Sequence, residues 1–218
     1  MKTSWLNWGF EMADVKVKIC GITNEKDALA AIDFGADFLG FNFFDKSPRK
    51  VSPQQAKEIV DALYKRVKTV GVFVNESPDH IKTIAKYCNF DLVQLHGDEM
   101  PGICEKFQLP TIKAFRVEDE GTFKQIEFFN CDFVLLDTFS AGEFGGTGKQ
   151  IKEEFVPAIK ELAMRRKIFL SGGLSPENVA SVVSETKPYA VDVASGVEIK
   201  PGLKSHEKMK EFIAEAKR

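Results

Sequence analysis

Along this chain, short apolar runs alternate with longer stretches in which apolar positions return every three or four residues. The runs fall at 17–20, 38–42, 69–74, 92–96, 111–115, 133–137, 168–171 and 190–194. Between and after them, segments near 24–34, 53–65, 78–88, 100–107, 121–128, 151–164, 176–186 and 206–217 carry helical period. In the last of these Met209, Phe212, Ile213 and Ala216 recur at spacings of three and four, as one face packed on a core requires. Eight strands, each followed by its helix, predict an α/β fold: a single (β/α)8 TIM barrel with eight parallel strands.

Helix starts carry their own signals. Ser52 with Pro53, Ser77 with Pro78 and Ser175 with Pro176 each place a hydroxyl at an N-cap and a proline at the first helical position. The hydroxyl accepts from an otherwise orphaned N–H, and proline has no N–H to orphan. The pairs predict helices beginning at 53, 78 and 176. No internal repeat or low-complexity linker interrupts the series, so residues 15–218 read as one catalytic domain. Residues 1–14 hold no apolar run suited to a signal or a membrane span, and Met12 stands just before the first strand. They are expected to be a disordered extension or a misassigned start. The longest irregular stretch, from Thr138 to about Lys149, contains SAGEFGGTGK after the sixth strand and is a candidate lid or ligand clamp.

Composition narrows the partners. The 30 Lys and Arg nearly balance 32 Asp and Glu, for a formal net charge of −2. Such a chain has no basic field for nucleic acid or anionic lipid, so a small molecule is the expected partner. Its four cysteines are far apart, without CxxC or a zinc-type spacing with the three histidines. Neither a structural disulfide nor a metal is expected, and the default location is cytoplasmic. Monomer and homodimer remain equally open.

In a barrel of this kind, function gathers at the C-terminal ends of the strands. Cys20, Arg49, His96, Asp137, Gly172, Gly173, Ser195 and Gly196 all end strands or follow them. Loops after strands seven and eight commonly bind phosphate through backbone N–H groups. SGGL at 171–174 and ASGVE at 194–198 stand in those two places, with Ser195 adding a hydroxyl. Gly148, in GGTGK at 145–149, is a further candidate substrate-binding residue, but the string is not a nucleotide P-loop, because Glu143 stands where its first glycine belongs and Gln150 where its hydroxyl residue belongs. Cys20 in VKICGIT offers a thiol at the barrel mouth, although a buried inert cysteine is the commoner fate. Asp137 in FVLLDT is equally suited to capping a turn. Together they form a thiolate able to take a proton and a carboxylic acid able to give one, a pair suited to isomerisation without a cofactor. Arg49 in DKSPRKV presents a planar fork for a carboxylate or is an ordinary loop arginine, and His96 in LHGDE polarises a ligand or fills the rim.

Ten strings in register, among them VKICGIT at 17–23, KSPRKVSP at 46–53, LVQLHGDE at 92–99, LLDT at 135–138, LSGGLSPENV at 170–179 and VDVASGVE at 191–198, resemble phosphoribosylanthranilate isomerases of tryptophan biosynthesis. The resemblance runs from about Val15 to the end. It implies an Amadori rearrangement of N-(5′-phosphoribosyl)anthranilate to 1-(2-carboxyphenylamino)-1-deoxyribulose 5-phosphate, with no cofactor. It further implies Asp137 as general acid, Cys20 as general base, Arg49 against the anthranilate carboxylate, and phosphate held at Gly172, Gly173, Ser195 and Gly196. Ala194 departs from the family, where a second serine is common. Rival readings are another phosphate-binding aldose–ketose isomerase, such as the histidine-pathway enzyme with its two aspartates and internal repeat, and a non-catalytic phosphosugar-binding barrel.

Overall fold

In the computed structural model, which describes residues 15–137 and 153–218, the eight apolar runs are eight parallel strands of one closed barrel. They are β1 (Lys16–Cys20), β2 (Phe38–Asn42), β3 (Lys68–Phe73), β4 (Leu92–Leu95), β5 (Thr111–Arg116), β6 (Phe133–Asp137), β7 (Ile168–Ser171) and β8 (Ala190–Val193). Each pairs with its sequence neighbour, and β8 closes on β1 with Lys18 opposite Asp192. Helices α1 (Glu25–Asp33), α2 (Pro53–Ala62), α3 (Pro78–Cys88), α4 (Glu120–Ile126), α5 (Val156–Arg165), α6 (Val179–Thr186) and α7 (His206–Ala216) follow in chain order.

Strand alternation divides the apolar residues into two cores. Phe38, Val70, Val72, Leu92, Ile112, Ala114, Leu135, Phe169 and Ala190 point inward and fill the barrel. Their neighbours, including Val17, Ile19, Leu39, Val93, Leu95, Val134, Leu136, Leu170 and Val191, belong to the larger cluster shared with the helices. Met209, Phe212, Ile213 and Ala216 are all buried, as their spacing predicts.

Two of the three serine–proline starts behave as expected. Ser52 accepts from the Gln55 N–H and Ser77 from the His80 N–H. The third does not: α6 begins at Val179, and Ser175 instead donates its own N–H to Asn178 Oδ1 at 2.9 Å. Its hydroxyl is engaged by the Glu177 carboxylate, so residues 176–178 form a turn before the helix. The helix expected near 100–107 is also absent; only a 3-10 turn, Cys104–Lys106, forms there. Pro101 and the left-handed Gly102 (φ +86°) break the helical path before it starts. A short hairpin, β9 (Glu198–Lys200) and β10 (Leu203–Lys204), was not foreseen. The extension 1–14, the segment 138–149 and the first two residues of the helix expected at 151–164 lie outside the described residues.

Inside the barrel, above the apolar layer, Lys18 and Asp192 form an ion pair of 2.8 Å across the β1–β8 seam, with Lys18 fully buried. Asp192→Asn is expected to leave the ammonium uncompensated and lower stability by roughly 3–5 kcal/mol, seen as an earlier urea midpoint. Removing both charges in Lys18→Met/Asp192→Leu should restore much of that loss. An unchanged midpoint in Asp192→Asn would show that the pair contributes nothing to closure.

Candidate active site

Parallel closure brings every strand's C-terminal end to one rim, and the inward parity selects which residues look into it. Cys20 ends β1 and packs against the interior apolar cluster. Asp137 ends β6 two residues beyond the inward-pointing Leu135, so it has the same inward parity. The thiol and the carboxyl therefore enter the same mouth from non-adjacent strands.

Cys20 is half-buried, whereas Cys88, Cys104 and Cys131 are buried. Its sulfur lies against Gly40 on β2, where a β-carbon would stand 2.8 Å from Sγ, so only glycine leaves that space open. Burial pushes the Cys20 thiol above the ordinary thiol value, opposed by Lys18 and Lys204 and reinforced by Asp192. The same group of charges raises Lys18: burial acts against its ammonium, but Asp192 and Cys20 outweigh it. The thiolate left when Cys20 loses its proton thus has two cations nearby.

On the opposite side, His96 follows β4, with Nε2 3.6 Å from Asp137 Oδ2. Its other nitrogen, Nδ1, lies 2.7 Å from the Gln94 side-chain amide. The Gln94 Oε1 atom is buried with no hydrogen-bond partner among the described residues. Gln94 Nε2 faces His96 Nδ1 and His96 Nε2 faces Asp137, so the imidazole bridges the amide and the carboxyl, with its donor and acceptor roles set by the tautomer. The loop carrying His96 is fixed by Glu99, which accepts from the Asn75 and Gly97 N–H groups and pairs with Lys113 at 2.9 Å.

The two glycine loops meet. Gly172 and Gly173 after β7 have φ of +100° and +64°, and Ser195 opens a 3-10 turn, Ser195–Val197, directly after β8. A β-carbon on Gly196 would run into the Leu174 carbonyl, so the second loop sits directly on the first. Ser195 and Gly173 are exposed at this junction.

Arg49, after β2, gives Nε and Nη2 to the Glu198 carboxylate at 2.9 and 2.7 Å. Lys204 Nζ reaches the same carboxylate at 3.0 Å and also bonds the Cys20 and Ala194 carbonyls. Lys18, Asp192, Gln94, Glu198 and Lys204 were not singled out from the sequence. For Lys18, Gln94 and Asp192 a signal existed: a charged or amide residue at an inward position of an otherwise apolar strand. Gly148 and the rest of the candidate lid lie outside the described residues.

The profile of the family described as N-(5'phosphoribosyl)anthranilate (PRA) isomerase matches residues 17–215. N-(5'-phosphoribosyl)anthranilate isomerases of Trichlorobacter lovleyi and Geobacter sulfurreducens are 45% and 46% identical to it, each over 93% of this chain and 98% of the relative. The crystal structure of phosphoribosyl anthranilate isomerase from Thermotoga maritima superposes with a TM-score of 0.85 at 44% identity, covering 93% of this chain and 98% of that one. Another solved phosphoribosyl anthranilate isomerase, in complex with reduced 1-(o-carboxyphenylamino)-1-deoxyribulose 5-phosphate, superposes with a TM-score of 0.81 at 42% identity over 93% of this chain and 98% of that one.

The exposure and charge of Cys20 define its reactivity. In native protein iodoacetamide is expected to label Cys20 before the three buried cysteines. Because burial raises its pKa, labelling should be slow at neutral pH and accelerate as the pH is raised into the alkaline range and thiolate forms. Peptide mass mapping over a pH series checks both points; fast labelling already complete at neutral pH would contradict the burial effect.

Proposed function

The chain belongs to the N-(5'-phosphoribosyl)anthranilate isomerase family, and on that footing we propose that it performs the isomerase step of tryptophan biosynthesis with Asp137 as general acid and Cys20 as general base. The carboxylic acid of Asp137 gives its proton to the ribose ring oxygen. The bond between that oxygen and C1′ breaks while the anthranilate nitrogen's lone pair forms the C1′=N bond of a protonated Schiff base. The Cys20 thiolate then takes the C2′ proton, and the electrons released make the C1′=C2′ bond of an enolamine, neutralising the nitrogen. Tautomerisation, which moves a proton to C1′, gives the C2′ ketone of 1-(2-carboxyphenylamino)-1-deoxyribulose 5-phosphate.

What carries this reading is the common rim: a thiol from β1 and a carboxyl from β6 face one mouth, beside the abutting loops after β7 and β8. Those loops suit the substrate phosphate at Gly172, Gly173, Ser195 and Gly196, and Arg49 suits the anthranilate carboxylate. Lys18 and Lys204 favour the thiolate that the base role requires, against the cost of burial. His96 stands beside the acid and, held at its other ring nitrogen by Gln94, helps to orient it. Among the described residues no helix is long and apolar enough to cross a membrane.

Cys20→Ala and Asp137→Asn are each expected to lower the single-turnover rate by about 100-fold or more while leaving the thermal melt close to wild type. The gene should rescue a tryptophan auxotroph lacking this step, and neither variant should. Near-wild-type turnover in either variant would remove that residue's assigned role.

A further inference from the structure

The hairpin β9–β10 extends beyond the eight barrel units, and its cross-strand register sets Lys204 opposite Glu198. Both side chains are buried, and their charges meet at 3.0 Å. The backbone at Lys204 is pinned from below, because its N–H donates to Asp27 Oδ2 at 2.9 Å on α1, and Asp27 also holds His206 at 2.9 Å. Above, Glu198 takes the Nε and Nη2 hydrogens of Arg49 on one edge of the guanidinium. The stem of Arg49 lies over Gly21, where a β-carbon would stand 2.5 Å from Cδ, so the side chain passes directly beside the residue that follows Cys20. Burial works against the Glu198 carboxylate, yet Arg49 and Lys204 together hold it below the usual carboxylate range.

A guanidinium has two edges able to make paired hydrogen bonds. With Nε and Nη2 spent on Glu198, the edge formed by Nη1 and the remaining Nη2 hydrogen is the one left to meet a second carboxylate. We infer that Glu198 and Lys204 are positioning residues that fix the Arg49 plane so that its outer edge meets the substrate's ring carboxylate, a role that rests on the reading of Arg49 given above. Lys204 keeps Glu198 ionised and in place; Glu198 sets the angle of Arg49. Through its bonds to the Cys20 and Ala194 carbonyls, Lys204 also ties this clamp to the ends of β1 and β8, and so aligns the aromatic end of the ligand with the catalytic and phosphate ends.

The test compares two ligands by calorimetry: reduced 1-(o-carboxyphenylamino)-1-deoxyribulose 5-phosphate and its counterpart lacking the ring carboxylate. Arg49→Ala, Glu198→Gln and the double variant Glu198→Gln/Lys204→Met are measured against wild type, the last because it leaves no unpaired buried charge if Glu198→Gln alone fails to fold. Arg49→Ala is expected to weaken the carboxylate-bearing ligand by about tenfold or more, the loss of one charge-assisted pair. Glu198→Gln and the double variant should weaken that same ligand by about tenfold, leave the counterpart within about twofold, and add nothing further in an Arg49→Ala background. Equal losses for both ligands, or no loss in the Glu198 variants while Arg49→Ala loses affinity, overturns the positioning role and leaves Arg49 as a carboxylate contact. No loss in Arg49→Ala overturns the reading of Arg49 and the positioning role together.

Discussion

Closure of the sheet between β1 and β8 is the constraint on which the other features rest. Once Lys18 stands opposite Asp192, the register of the seam is fixed, and a slip of one residue would turn every inward side chain of the strand toward the helices. The same alternation fills the lower barrel with Phe38, Val70, Leu135 and Phe169 and lifts Cys20 and Asp137 to the open end. In such barrels the loops at the C-terminal strand ends carry the active site, so groups from separate strands that act together gather at that rim.

The rim is electrostatically divided. On the β1–β8 side two lysines lie close to Cys20, and each is paired with a carboxylate, Lys18 with Asp192 and Lys204 with Glu198. Asp192 and Cys20 raise Lys18 above the ordinary ammonium value despite burial, Glu198 offsets part of what burial takes from Lys204, and the cations in turn offset what burial costs a thiolate. On the β6 side the neighbour of Asp137 is a histidine whose other ring nitrogen is held by the Gln94 amide. On the proposed roles, one fold would support a base and an acid at the same mouth through different neighbours.

The parts of the fold that were legible are those in which local signals and tertiary demand agree. Ser52 and Ser77 cap their helices, each accepting from the N–H three residues further on. Ser175 carries the same local signal, but Glu177 and Asn178 take its hydrogen bonds, and the helix starts later. The segment near 100–107 has enough apolar residues for a helix, yet Gly102 directs the chain into a single 3-10 turn that buries Cys104. The hairpin 198–204 escaped notice because its strands are two and three residues long, too short for any periodicity to register.

The sequence by itself determined the eightfold alternation of strand and helix, the inward parity that brings a thiol and a carboxyl to one rim, and the glycine loops at the last two strand ends. Each of these is set by neighbours a few residues apart, through period, capping and backbone freedom. Only the tertiary structure decided that Gly40 makes room for the Cys20 sulfur, that Gly196 sits on the Leu174 carbonyl, and that Arg49 is held by Glu198. The last pair lies 149 positions apart in the chain. Contacts of that kind depend on closure, since only a completed barrel brings the loop after β2 against the hairpin after β8, and no local pattern carries that information.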